Sequence, residues 1–495
     1  MNLLETFDHL FQSLGSVFPR ERTFQRAYRF GLGLLTGHAP HLTSTVLCTL
    51  GRQFDDWSAA YRLFSRSPWK PRGLFAPVFD HLPELLPPSP SAPILAALDD
   101  TLCKKTGRHI PGVTTARDPR SLPFHVNLCR GLRFVQVSLL VAPQHAPGPA
   151  RALPVRFDPA PPVPKPKKGA PPADWQSYRQ QKKLHSLPQV GVATLCDVRQ
   201  TLDQQPALKD RTLLVSADGS YTNGRVLRQL PPRTTFLGRI RKDAKLSLPL
   251  PLSPAGKGRG RRKRYGPPAP TPEQVLHDDS IAWQKIPCFA AGQEREIPVK
   301  TLGPLYWRKS GPELALRLLV IKPLGYRLRQ GSKLLYREPA FLICTDPHRD
   351  LKNFLQAYVY RWEIECNHRD EKSLLGVAQG QVRNPQAVAR LPQFQVALYS
   401  LLLLASLLAY GFQRTATYLP LPKWRRRSIR PSLLDLLNLL RQQITARALL
   451  AEPQIISTAS PLPSHEPRSC RNYLPLPRSS IPSKLSDCAI AAASC

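Results

Sequence analysis

Tyr358, Arg361, Glu365 and Lys372 are spaced so that one helix would carry all four on a single stripe. At about 100° per residue they fall within roughly 60° of arc. The stripe presents a carboxylate between two cations and a phenol, and arginine is the cation suited to bidentate phosphate binding. On an ordinary helix the same residues would form a solvated face of ion pairs. Trp362 follows Arg361 directly, and we expect it to be buried against the core, with stacking on a base as the other possibility.

Two further acids stand where strands should end. Pro93 to Leu98 (PILAAL) is a short apolar run closing on Asp99-Asp100-Thr101, and Arg211 to Ala217 (RTLLVSA) closes on Asp218. Phe134 to Val141 and Thr234 to Ile240 read as further strands, with a helix over Val190 to Gln204 between them. From His348 to about Gly411 the pattern is helical. This order suits a mixed α/β core in which two strand ends and one helix converge. Asp218-Gly219 is also a strong turn dipeptide.

The rest of the chain frames that core. Residues 1–85 read as a helical N-terminal domain, and residues 90–240 as the first part of the core. The Pro-, Ala- and Lys-rich stretch 143–172 reads as a surface loop within it. A β-rich insertion with a basic loop, GKGRGRRKRYG, is expected over 241–347. Residues 348–412 complete the core, 413–450 form a basic helical region containing KWRRRSIR, and 451–495 read as a disordered tail. Val396 to Phe412 carries no charge but is 17 residues long, short of the roughly 20 a membrane span needs, so a buried core helix is expected.

Seventy Lys and Arg against 34 Asp and Glu leave the 495-residue chain at +36, which favours a polyanionic partner, nucleic acid first. Ten scattered cysteines show no Cys-x-x-Cys pair and no zinc-site spacing, which fits free thiols in a reducing compartment. The N-terminus carries early acids and no long apolar run, unlike a secretory signal.

Tyr-x2-Arg-x3-Glu-x6-Lys, in YVYRWEIECNHRDEK, resembles the YREK signature of DDE-superfamily transposases of bacterial insertion sequences. The resemblance extends from about Ser58 to Arg441. It implies an RNase H-like catalytic core with a β-rich insertion before the last catalytic helix. It also implies three carboxylate ligands: Asp100 or its neighbour Asp99, then Asp218, then Glu365. The family's first Asp commonly precedes Thr, which favours Asp100, and strand alternation lets only one of the two aim into the site. Gly219 stands where the family often has Arg.

Such a trio would hold Mg²⁺ or Mn²⁺, two ions in the usual arrangement, for phosphodiester cleavage at transposon ends and strand transfer into target DNA. Tyr358, Arg361 and Lys372 would contact DNA beside the cut, and Lys257, Arg259, Arg261, Arg262, Lys263 and Arg264 would clamp its backbone. The partner implied is double-stranded DNA, bound by a homodimer in the bacterial cytoplasm, with no membrane. The alternative is a transposase-derived DNA-binding protein that has lost catalysis.

Overall fold

Apolar runs that end in acids become neighbouring strands in the computed structural model of the chain. It describes residues 1–451 except 39, 108, 119–120, 123, 145–147, 252–262, 328–330, 378 and 425–427. Lys257, Arg259, Arg261 and Arg262 of the basic loop, Arg425 to Arg427 and the tail 452–495 therefore lie outside the described residues.

The N-terminal region is helical as read: α1 (Leu3–Gln12), α2 (Glu21–Thr36), α3 (Thr43–Thr49), α4 (Ser58–Ser65) and α5 (Ala76–Leu85). An Asn2/Glu5 capping box starts α1, satisfying backbone donors that would otherwise be orphaned. The core follows with β1 (Ile94–Lys104), β2 (Thr114–Arg117), β3 (Leu128–Val141), β4 (Arg151–Pro159), α6 (Pro172–Leu184), α7 (Leu187–Asp203), β5 (Leu213–Ala217), α8 (Gly224–Leu227) and β6 (Thr234–Arg239). Next come α9 (Pro272–His277), β7 (Gln284–Ala290), β8 (Gln293–Trp307), β9 (Gly311–Ile321), the short pair β10 (Gly325–Tyr326) and β11 (Leu335–Tyr336), and β12 (Ala340–Cys344). The chain closes with α10 (Leu351–Tyr360), α11 (Trp362–Ser373), α12 (Pro385–Tyr410) and α13 (Leu433–Ala451).

Among the described residues ten strands make one mixed sheet. Across its first half the order is β4-β3-β1-β5-β6, antiparallel from β4 to β1 and parallel from β1 to β6. That is the RNase H-like arrangement the sequence pointed to, a mixed α/β core beside helices.

Two expectations change here. The stretch 143–172 is not a loop throughout, because residues 151–159 form β4, the strand that completes the antiparallel half of the sheet. Pro154 and Pro159 hid it: proline is tolerated at a sheet edge or bulge, and the β3–β4 register slips at Val137/Ser138, opposite Pro154. The β-rich stretch 241–347 is also not set apart from the core sheet. β12 pairs antiparallel with β6, and β9, β8 and β7 continue outward from it.

Alternation along β1 divides its side chains between two faces. Ala96 and Leu98 belong to the large core with Leu195 and Val198 of α7, which also takes in the N-terminal helices and α12. Leu95 and Ala97 pack with Tyr360 and Ile364 on the opposite face. There α10 is fixed to β5 by Ser216 Oγ donating to the Ala357 carbonyl at 3.1 Å. α12 is a core helix, as its lack of charge suggested: its most apolar window is 94% buried inside the protein.

The helical stripe is not carried by one continuous helix. α10 ends at Tyr360 and α11 begins at Trp362, with Arg361 as the shared cap. Trp362 is 48% exposed, against the expected burial. α11 is held to the sheet by Asn367, whose amide donates to the Ala152 carbonyl at 3.0 Å and accepts from the Tyr399 hydroxyl at 2.9 Å. Asn367→Ala strands both partners in the interior. We expect it to cost about 1–3 kcal/mol in urea denaturation, the penalty for a buried unpaired polar group; a loss within error would refute the anchoring role.

Candidate active site

The parallel β1/β5 register pairs Leu98 with Ala217; Asp218 is the first residue past β5, whereas Asp99 stands inside β1, which runs on to Lys104 beside β3 rather than ending at the acids as expected. Parity puts Asp99 on the face of Leu95 and Ala97, the face that α10 and α11 cross. Asp100 turns to the other face. There it accepts from the Tyr221 hydroxyl at 3.3 Å and lies 3.5 Å from Arg133 Nε.

The kink between α10 and α11 aims Arg361 at the acids. Its guanidinium donates to Glu365 Oε1 at 2.9 Å and lies 3.8 Å from Asp99 Oδ2. Glu365 is thus tied to Asp99 through one cation, and no contact links it to Asp100. The candidate acids come from the middle of β1, the end of β5 and the start of α11, not from two strand ends, and Asp99 is the β1 acid that Arg361 reaches.

Asp218 is also a turn residue, since its Oδ1 accepts from the Ser220 backbone at 2.8 Å and the Ser220 hydroxyl at 2.6 Å. The turn reading and the ligand reading are compatible, because Oδ2 makes no hydrogen bond within the described chain.

Burial is the largest influence on Asp99 and pushes its carboxyl up to about 6. His368 and Arg361 pull it down, and the Asp218 charge pushes it further up. Asp100 is also raised, by burial first, with Arg133 opposing and Asp218 adding.

Sequence reasoning passed over His368. It is 8% exposed, its charge acts on both Asp99 and Asp100, its Nδ1 faces Glu371 at 3.5 Å, and its Nε2 has no partner. The available signal was its position three residues after Glu365, one turn along the same helix face. Tyr221, three residues after Asp218, was missed for the same reason.

The remaining candidates spread out. Lys372 is half-buried and its charge acts on the buried Cys103 thiol of β1, further along the strand from the acids. Tyr358 is half-buried against Phe354, Leu214 and Leu342. Arg264 pairs with Glu313 of β9 at 2.9 Å, and Lys263 is exposed beside it, so neither contacts the acids.

A divalent cation fits the chemistry of this donor set. Asp99, Asp218 and Glu365 offer hard oxygen ligands, and two of them are crowded at one strand level. Arg361 supplies the counter-charge between Asp99 and Glu365, and among the described residues no three Asp, Glu, His or Cys groups stand together as a ready cage.

The sign of the Asp99 shift gives a test. A carboxyl raised in the fold contributes no penalty below its unfolded value, about 3.9, and loses stability as pH rises through about 6. Two units correspond to about 3 kcal/mol. Asp99→Asn, without divalent cations, should therefore be more stable than wild type at pH 7 by up to about 3 kcal/mol, and nearly equal to it at pH 4. Urea denaturation at both pH values measures this; equal stability at pH 7 would remove burial as the dominant influence.

No curated protein matches the chain. Residues 49–292, a little under half of it, match the family model of the DDE superfamily endonuclease, so over the stretch that carries Asp99, Asp100 and Asp218 this chain is similar to that superfamily of nucleases.

Proposed function

We propose that the chain is a DNA transposase that cleaves transposon ends and joins them to target DNA, acting as a homodimer on the DNA. Asp99, Asp218 and Glu365 are its metal ligands. The observation that carries this reading is that Asp99 and Asp218 directly follow the paired residues Leu98 and Ala217 of neighbouring strands, with Arg361 joining Asp99 to Glu365. The likeness of residues 49–292 to DDE superfamily endonucleases supports it. The matched stretch ends before Glu365, so that assignment rests on the helix geometry and the Tyr-x2-Arg-x3-Glu-x6-Lys spacing.

Each side chain has a task in this reading. Asp218 sits just past the end of β5, one strand over from Asp99 of β1. Mg²⁺ or Mn²⁺ bound there would activate the attacking oxygen and stabilise the departing 3′ oxygen. Arg361 exchanges its carboxylates for the phosphate, which its planar fork fits as well, and that frees Glu365 as a ligand. The charge of His368 acts on Asp99 and favours its ionised form. Exposed Trp362 stands at the entrance, placed to stack on a base beside the cut.

A second reading, DNA binding without catalysis, draws on the Arg361 bridge, which could be a permanent closure of the site. A cleavage assay on end-containing DNA with Mg²⁺ or Mn²⁺ separates the two. Asp99→Ala and Glu365→Ala should each lose more than about 100-fold in cleavage rate, since even outer partners of metal ligands cost 10–100-fold. Asp100→Asn should keep cleavage within about tenfold, because its side chain is on the opposite face. Full activity in Glu365→Ala sinks the catalytic reading. Loss in Asp100→Asn with retention in Asp99→Ala reverses the choice of first ligand.

Metal binding gives a check that does not depend on finding the cognate DNA. Saturating Mg²⁺ or Mn²⁺ at about 100 Kd should stabilise the wild type at pH 7 by about 2.7 kcal/mol, and Asp99→Asn by much less. Equal stabilisation of the two proteins would remove Asp99 from the ligand set.

A further inference from the structure

α6 is a 13-residue helix with no buried residue. Along Pro172–Leu184 only Trp175 and Tyr178 are half-covered, and Leu184 is 61% exposed. A helix this short is marginal in water by itself, and one polar all round has no core to hold it. Its fixed end is the C-terminal one, where the Arg225 guanidinium donates to the Lys183 carbonyl at 2.9 Å.

That anchor puts α6 on the α7 side of the sheet, the face of Tyr221 and Asp100. α7 follows directly, and its Gly191 lies so close to Tyr221 that a Cβ would come within 2.7 Å of the ring. Tyr221 is the residue whose hydroxyl donates to Asp100. α8, which carries Arg225, begins six residues after Asp218. α6 therefore leaves the body of the protein near the C-terminal end of β5, on the Tyr221 and Asp100 side of the sheet.

Its charge selects the occupant. Lys165, Lys167 and Lys168 precede the helix, Arg179, Lys182 and Lys183 lie on it, and Asp174 is the lone acid between 163 and 185. Arg179, Lys182 and Lys183 share one face by their spacing of three and four. Among the described residues no carboxylate pairs with any of the three, while Lys182 lies over the Tyr178 ring at 5.7 Å. A second copy of a +36 chain would be repelled by this face. A duplex is not, and its major groove, about 12 Å wide, admits a helix.

We propose that α6 is a duplex-DNA docking helix, seated in the major groove with Arg179, Lys182 and Lys183 on the flanking phosphates. This rests on the transposase reading for which DNA it holds: about 20 Å long, the helix would grip duplex on the Tyr221 and Asp100 side of the sheet, away from the phosphodiester being cut.

The test uses the full chain and a mixed-sequence duplex, so it does not depend on cleavage. In Arg179→Ala/Lys182→Ala/Lys183→Ala, the slope of log affinity against log salt should shrink by about 2.7, three phosphates at 0.9 each. Affinity near physiological salt should fall at least about tenfold. Circular dichroism and thermal midpoint should be unchanged, because none of the three side chains is buried. An unchanged slope overturns the proposal. A photo-crosslinking benzoylphenylalanine in place of Gln180 should attach to the duplex; attachment to a second protein chain instead would also overturn it. If the slope shrinks while Glu365→Ala cleaves normally, the docking helix stands and the catalytic reading falls. If the slope holds while Glu365→Ala is dead, the reverse is true.

Discussion

Two carboxylates brought together by adjacent parallel strands, Asp99 inside β1 and Asp218 one residue past β5, are the constraint around which this site is arranged. Neighbouring strands lie about 4.8 Å apart, so Asp99 and Asp218 cannot avoid each other. Asp99 cannot move without shifting β1, which pairs on both sides, and Asp218 is held by its turn hydrogen bonds to Ser220. The carboxyl of Asp99 answers by rising to about 6, with burial as the larger cause and the Asp218 charge as a contributor. Everything else near the site is placed with respect to that pair. The kink at Arg361 delivers a guanidinium to it, Asn367 pins the helix that carries Glu365 and His368, and α7 buttresses Tyr221 on the far face.

Much of the core was legible in the sequence because short apolar runs ending in acids have few other interpretations. β1 and β5 were found that way, and the helix at α7 and the uncharged core helix α12 were read from helical patterning and lack of charge. β4 was not, since two prolines and the Pro-rich surroundings imitate a loop. Only pairing with β3 shows that this strand sits at an edge with a bulge, where proline is tolerated. The continuation of the sheet through β12 was equally invisible, because strand order across a sheet is a long-range fact that local patterning does not carry.

The site itself was half legible. Spacing singled out Arg361 and Glu365 correctly as neighbours, although they meet across a helix junction rather than along one unbroken stripe. The choice between Asp99 and Asp100 could not be made locally. A Thr after the second acid favoured Asp100, but the face of each depends on the phase of β1 relative to β5, which is fixed by the Leu98–Ala217 pairing. Trp362 was misjudged: it is 48% exposed at the start of α11.

Comparing magnitudes explains why Arg361 can be both a tie and a trigger. An i,i+4 pair such as Arg361–Glu365 is worth only about 0.3–0.5 kcal/mol when solvent reaches it, and the Glu365 side chain is 34% exposed. Burial of Asp99 weighs several times more, about 3 kcal/mol for two units, and the nearby guanidinium does not reverse it. The weak tie therefore breaks first when a phosphate competes for the guanidinium, while the strained carboxylate stays where the sheet holds it. A site with more fixed negative charge than its own cations offset gains by taking positive charge from outside. On the transposase reading, then, the order of events follows from energetics: substrate draws Arg361 away, and the carboxylates it leaves are the ones best placed to receive metal.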